Sequence, residues 1–500
     1  MKKLARSLVI CLILVTSPVH IALAVEEKNT VVASKAFTES VILAEITTQL
    51  LIANGTGAEH KSSLGGSRIL WSALLNGEID AYPDYSGTIF LEILGRDKVG
   101  DISELRALLA THGVGATGKL GFNNTYVIGM LESRAAELGI NSISNLGEHA
   151  SLSFAFSNEF IDRADGWGNL REHYQLPQTK VSGVEHDLAY RALESGDIDA
   201  MDLYSTDAEI DYYNIRTLED DRAYFPDYHA VLLYRLDLEE AVIEQLSSLE
   251  SRIDTRAMVA MNAAVKLQGK SEIGVAAGFV KNEFGLSAGV EEQNRHQRFW
   301  RNTRDHLSLV AISLIAAIFI AIPLGVMAAR KPRLGQLILG TTSILQTIPS
   351  LALLVFMIPF LGIGAPPTIA ALFIYSLLPI IRNTFSGLQD IPLSLRDSAR
   401  VIGLSDTAIL RQVELPLATR SILAGIKTSA VINVGTATLG AFIGAGGYGQ
   451  AILTGIRLDD TALILEGAIP AAILAVLVQY FFELVEQRLL PAPLRYQAGR

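Results

Sequence analysis

Residues 397–416 read DSARVIGLSDTAILRQVELP. The stretch is charged and amphipathic, yet strongly apolar segments flank it on both sides. Its skeleton is Asp397, the small pair Ser398-Ala399, then Gly403, then Val413, Leu415 and Pro416. Small side chains let a helix seat in a groove of another protein, and Gly403 permits a bend. Pro416 is expected to stop a second short helix before the next apolar run. Such a segment is neither a membrane span nor a simple loop.

Around it lie five apolar segments, 307–329, 335–362, 367–381, 418–443 and 461–485. Each can cross a bilayer, which takes roughly 20 apolar residues. The second is long and holds Pro349 and Pro359, so a break or a sixth short helix is expected there. Residues 301–500 carry 15 Lys/Arg against 10 Asp/Glu, whereas the whole chain has a formal net charge of −11. Arg330, Lys331, Arg333, the five arginines from Arg382 to Arg420, and Arg488, Arg495 and Arg500 fall on one side if the first span runs inward. By the positive-inside rule that side is the cytoplasm, which puts 397–416 there. The outer loops hold only Arg457, and Arg301 and Arg304 are an outside exception set by a large exported domain. Lys427 and Glu483 lie near span ends, where they can snorkel. Glu466 and Asn433 are costly in lipid and are expected to face a bundle interior or an interface. Asn433 and the Gly-rich run 435–449 suit a close-packed or pore-lining helix.

The first part of the chain belongs to another environment. Residues 1–24 have the basic start, apolar centre and Ala-x-Ala end of a signal peptide. The single cysteine, Cys11, lies inside that run. Its removal excludes disulfides, cysteine metal sites and cysteine nucleophiles. The acidic balance argues against a nucleic-acid surface. No metal-ligand cluster, cofactor motif or nucleophile elbow is recognisable. GVGATGK at 113–119 imitates a phosphate loop, but Leu120 stands where the magnesium-binding hydroxyl belongs.

From about 31 to 285, strand and helix patterns alternate, which predicts an α/β domain with a largely parallel sheet. Thr38 is expected as the N-cap of an amphipathic helix. An internal repeat adds more. ALLNGEIDAYPDYSGT (73–88) and ALESGDIDAMDLYSTD (192–207) align without gaps, with eight of sixteen positions identical. Each reads as a helix end, a Gly cap, a short strand and a tyrosine at the strand's mouth, where ligands of open sheets bind. Two copies suggest two lobes facing a cleft. Tyr85, Tyr126, Tyr204 and Tyr228 could together form an aromatic box for a quaternary ammonium, whose charge is attracted to ring faces. Arg163 could hold a carboxylate bidentately.

SKAFTES, LGGSRI, GEIDAYPDYSGT, FNNTYVIG, NEFIDRADG and LYSTDAEI resemble the extracytoplasmic binding proteins for glycine betaine, choline and related osmoprotectants. The resemblance implies a two-lobed periplasmic-binding-protein fold (type II-like). It implies a cage at Tyr85, Tyr126, Tyr204 and Tyr228, with Arg163 as carboxylate contact. Thr88 stands where a choline-restricted member would carry Asp, which leans toward broader or zwitterionic substrates. Asp207-Ala208-Glu209 departs from the usual Asp-Gly-Arg, and His186 and His229 are unusual near these loops. Residues 397–416 resemble the EAA loop of type I ABC-importer permeases, with Asp397 for the first Glu. Asp397, Ser398, Ala399, Gly403, Val413, Leu415 and Pro416 would then couple to a separate ATPase. The expected organisation is a signal peptide (1–24), a binding domain (25–286), a polar tether (287–306), an all-α permease of about five helices (307–487) and a cytoplasmic tail (488–500). The resemblance implies a plasma-membrane importer subunit, paired as a permease dimer, with two ATPase copies as partners. Its cargo would be glycine betaine, choline, carnitine or a similar solute such as ergothioneine. A ligand-sensing receptor is the reading from another class, but only fourteen residues follow Glu486 to serve as output.

Overall fold

The protein is represented by a computed structural model, which describes residues 29–290 and 294–489. The expected signal peptide with Cys11, and all but the start of the expected tail, lie outside the described residues. The soluble part contains the strands β1 (Thr30–Ala33), β2 (Ala58–Lys61), β3 (Ala81–Tyr85), β4 (Val114–Ala116), β5 (Tyr126–Leu131), β6 (Ser153–Ser157), β7 (Lys180–Val184), β8 (Met201–Tyr204), β9 (Ile215–Thr217) and β10 (Ala230–Arg235). Its principal helices are α1 (Thr38–Ala53), α2 (Ser67–Leu75), α3 (His186–Ser195), α4 (Thr255–Lys266) and α5 (Glu272–Phe284).

Two lobes result. The first is one sheet in the order β2-β1-β3-β10-β4; the second pairs β8-β5-β9 and β6-β7. The chain crosses between them after β4 and again before β10. The sheets are mixed rather than largely parallel. β1 pairs parallel with β2 and β3, but β10 returns from the other lobe and pairs antiparallel with β3 and β4. β5 enters the second lobe and is likewise antiparallel to β8 and β9. Helix α1 is not amphipathic. Its residues 38–44 and 46–51 are buried, as suits a helix enclosed on all sides. Thr38 is its first helical residue, with Phe37 at the cap and no side-chain cap bond. The Thr38 hydroxyl accepts from Arg457 Nη1 at 3.2 Å instead.

The sequence repeat is a structural repeat. Gly77 and Gly196 end their helices at φ +73° and +76°, a conformation that favours glycine. Three residues on, Asp80 and Asp199 each accept the backbone N–H of the neighbouring strand, Val31 at 2.9 Å and Ser153 at 2.9 Å. Each following strand ends on a tyrosine, Tyr85 or Tyr204.

The membrane part comprises α6 (Arg295–Arg330), α7 (Pro332–Thr347), α8 (Ser350–Leu361), α9 (Ala365–Gln389), α10 (Leu393–Val401), α11 (Leu415–Thr436), α12 (Tyr448–Arg457) and α13 (Thr461–Leu489). Four described stretches are long and apolar enough to cross a membrane: Arg295–Arg330, Ala365–Gln389, Asp406–Ile443 and Thr461–Leu489. α7 and α8, bent by 99° at the break that holds Pro349, are long and apolar enough only when taken together, as a broken span or a re-entrant loop. Proline there has no N–H to donate and disfavours a helical residue before it.

The tether expected over 287–306 is shorter. α6 begins at Arg295 behind a capping box, in which Asn294 Oδ1 accepts from Gln297 N at 2.9 Å and Gln297 Oε1 accepts from Asn294 N at 3.0 Å. Glu466 on α13 holds the helix start through Arg295 (3.2 Å) and Arg298 (3.4 Å). Asn433 is fully buried and donates to Ser313 (3.1 Å) on α6 and Ser376 (2.8 Å) on α9. It therefore ties three helices together rather than facing an open path.

Candidate functional site

Between the lobes lies a cavity of about 330 Å³, counting its open mouth. Its wall contains all six residues singled out from the sequence: Tyr85, Thr88, Tyr126, Arg163, Tyr204 and Tyr228. Lys35, Phe37, Asn124 and Glu159 complete it. Tyr126 is the centre of the aromatic set. Its ring lies 5.3 Å from Tyr204 and stands edge-on to Tyr228 at 5.7 Å. Phe37 joins the two tyrosines of the repeat, 6.2 Å from Tyr85 and 5.5 Å from Tyr204. Rings so disposed present π-faces to a cation lodged among them.

The polar wall is tightly paired. Arg163 donates from Nε and Nη2 to the two carboxylate oxygens of Asp165, at 2.6 and 2.5 Å. Nη2 also reaches Thr88 Oγ1 at 3.3 Å, which joins the second lobe to the first. Asp165 in turn accepts from the Tyr228 hydroxyl at 2.5 Å. Burial would raise the Asp165 carboxyl, but the bonds and charge of Arg163 hold it below its ordinary range. Lys35 Nζ donates to Asp84 at 2.5 Å.

Behind the cage sits Glu39, a fully buried carboxyl that burial pushes above its ordinary pKa. Oε1 accepts from the Tyr85 hydroxyl (2.6 Å) and Asn124 (2.8 Å). Oε2 accepts from Thr206 (2.5 Å) and Asn262 (3.1 Å). Thr206 comes from the second lobe and Glu39 from the first, so this bond also spans the closed cleft. A second bridge runs from Lys266 on α4 to Asp187 and to Glu209 (2.7 Å) of the second lobe.

The two unusual histidines differ. His229 lies on the bridge to Asn123, 3.5 Å from Asp227. His186 stacks on Tyr204 at 4.5 Å and 28°. Its Nε2 lies 3.1 Å from Asp207, and Asp202 is 3.8 Å from Nδ1. Burial opposes its charge, but the two carboxylates outweigh that and raise its pKa well above the ordinary value. Asp207, the one residue of Asp207-Ala208-Glu209 that keeps to the family pattern, thus also positions Tyr204, whose N–H it accepts at 2.8 Å.

Lys35 and Phe37 lie in SKAFTES, Asn124 in FNNTYVIG and Glu159 in NEFIDRADG, stretches already marked by the resemblance but not read residue by residue. Glu39 looked like any acid in a helix's first turn. Only its burial gives it away.

At the far end of the membrane part, residues 397–416 form a bent pair of helices. α10 carries Asp397, Ser398 and Ala399, and Gly403 makes the bend at φ +87°. Ala399 is buried, while Val401 and Ile402 are 86% and 75% exposed. Pro416 does not end the second helix. A π-helical turn, Leu410–Glu414, precedes it, and the helix runs on into α11. The wider turn relieves the clash of the proline ring with the carbonyl four residues back. Glu414, missed in the sequence, anchors the unit. It is buried and pairs with Arg330 (3.1 Å) and Arg396 (3.0 Å).

Comparisons with known proteins agree with this division. Residues 28–282 match the family model for the substrate binding domain of ABC-type glycine betaine transport systems. Residues 321–491 match that for the inner membrane component of binding-protein-dependent transport systems. The choline transport system permease protein OpuBB of Bacillus subtilis is 43% identical over 190 residues, 38% of this chain and 88% of the relative. The carnitine transport permease protein OpuCB of Listeria monocytogenes is 44% identical over 193 residues, 39% of this chain and 88% of the relative. The osmoprotectant import permease protein OsmW of Salmonella typhimurium is 40% identical over 198 residues, 39% of this chain and 92% of the relative.

Proposed function

This chain belongs to the glycine betaine substrate-binding-domain family and to the binding-protein-dependent permease family, and we propose that it captures a zwitterionic quaternary-ammonium solute and passes it through its own membrane domain. One observation carries the choice of cargo. Aromatic rings and two cations, Lys35 and Arg163, line the same small cavity. Rings suit a trimethylammonium head, and the N–H donors that Lys35 and Arg163 keep beyond their pairs with Asp84 and Asp165 suit a carboxylate at its other end. Tyr85, Tyr126, Tyr204 and Tyr228 would hold the head, with Thr88 and Arg163 at the polar end.

The binding domain, near 25–286, would face the outside, following a signal peptide at 1–24. The charge bias of the membrane loops supports this orientation. Two copies would pair around the pathway. A separate ATPase, also in two copies, would seat against Asp397, Ser398, Ala399, Gly403, Val413, Leu415 and Pro416, where exposed Val401 and Ile402 offer apolar contact. The solute is moved unchanged.

Calorimetric titration of the full chain in lipid nanodiscs with glycine betaine, carnitine, choline and ergothioneine tests the reading. Binding of the carboxylated solutes ahead of choline is expected. Binding of none of them would overturn it.

A further inference from the structure

The membrane domain meets the first lobe in more than one place: Ile363 N–H donates to Glu78, and Leu353, Leu354 and Ile443 share an apolar cluster with Leu64 and Leu70. A short turn between α12 and α13 reaches both lobes. Three successive residues of that turn do different things. Arg457 is buried and reaches the first lobe, with Nη2 2.6 Å from Glu272 at the start of α5 and Nη1 3.2 Å from Thr38 at the start of α1. Leu458 packs against the apolar core of the binding domain. Asp459 reaches the second lobe, accepting from Arg191 Nε of α3 at 2.9 Å with a second contact to the same guanidinium. Asp459 sits at φ +54°, a left-handed conformation uncommon outside glycine, so the turn itself is constrained.

Arg457 and Asp459 are two residues apart, so their Cα atoms are separated by at most about 7 Å. Both pairs can be engaged only while Glu272 and Arg191, one from each lobe, lie at their closed separation. Opening the lobes beyond the reach of two side chains must break one pair. The pairs are unequal. Arg457 and Glu272 side chains are 6% and 14% exposed, whereas Arg191 and Asp459 are 55% and 46% exposed. An exposed pair is worth little and breaks readily, while a buried one is costly to break. Arg457 therefore anchors, and Asp459 releases.

We propose that the 457–460 turn is a closure sensor, a single element of the membrane domain that holds both lobes and distinguishes the closed binding domain from the open one. This rests on the transport reading above. A contact made only in the closed state shifts the equilibrium toward closure by its differential free energy. Reciprocity follows: the seated turn raises solute affinity, and bound solute strengthens seating by the same factor. A movement of α12 and α13 that withdraws Asp459 then loosens the cleft from the membrane side. Thr38 adds a direct route, since its neighbours Phe37 and Glu39 form and back the cage.

The test uses the full chain in nanodiscs, with Cys11→Ser and spin labels at Ser103→Cys and Glu172→Cys, both exposed and one on each lobe. Asp459→Ala is expected to shift the interlobe distance distribution toward longer values with no solute present. The charge swap Arg191→Asp with Asp459→Arg is expected to restore it. Radiolabelled glycine betaine should bind Asp459→Ala about three- to tenfold more weakly. A distance distribution identical to that of the unsubstituted turn overturns the proposal. Failure of glycine betaine to bind the wild-type chain counts against the transport reading instead, and the distance measurement still decides the sensor.

Discussion

Arg163 and Asp165, two positions apart in sequence, close a bidentate pair behind the cage wall, with both carboxylate oxygens taken up at 2.6 and 2.5 Å. The guanidinium fork expected to receive a ligand's carboxylate is already filled. Any contact it makes with a solute must come from its remaining edge.

Asp165→Asn should therefore change selectivity as well as stability, because it leaves the buried guanidinium short of its counter-charge. It removes a negative charge and frees part of the fork. The affinity ratio of glycine betaine to choline should rise about tenfold, close to 1.4 kcal/mol. Titration calorimetry of the full chain reads this directly. An equal change for both solutes would contradict it.

Glu39 accepts four hydrogen bonds, two on each oxygen. Glu39→Gln replaces one acceptor by a donor and sets it against donors that cannot all turn away. A loss of about 1–3 kcal/mol in binding-domain stability is expected. Thermal melting with and without solute checks it, and an unshifted melt would mean the four bonds contribute little.

His186 gives a pH dependence with a definite sign. Its folded pKa is raised, because Asp202 and Asp207 outweigh burial. The stability it contributes is complete below about pH 6.5 and is lost as pH rises through the higher folded value. The wild-type chain should thus lose stability as pH rises from about 6.5 through the raised folded value, by a step that His186→Gln lacks. Denaturant titrations of both proteins across that range compare them. Parallel pH profiles would show that the imidazole is neutral in the fold.

Glu414 bridges Arg330 and Arg396 at the base of the 397–416 unit. Breaking a buried pair by removing one partner is strongly destabilising locally. Glu414→Ala should cut solute-stimulated ATP hydrolysis by the partner ATPase about tenfold and leave solute binding intact. Full stimulation in this variant would place the coupling elsewhere.

Much of this was legible from local pattern. The apolar runs marked the spans because bilayer thickness fixes their length. The repeat marked the lobes because Gly77 and Gly196 sit at turns with few substitutes. The tyrosines could be listed, since loops at strand ends carry ligands. What stayed hidden depended on distant partners. Nothing near Glu39 announces that Thr206 and Asn262 will point at it. Arg163 looked available because its neighbour Asp165 reads equally well as a surface acid. The antiparallel pairing of β10 follows from a chain that leaves one lobe and returns, which no window of residues records. Pro416 looked like a helix stop because a π-helical turn leaves no clear mark in sequence.

Ten residues, 285–294, separate the end of α5 from the start of α6, a leash of at most about 35 Å. Receptor and passage are therefore made in fixed proportion. Each binding domain made from this chain brings a membrane domain with it. Capture capacity and passage capacity rise and fall as one quantity, set by the number of whole chains in the membrane.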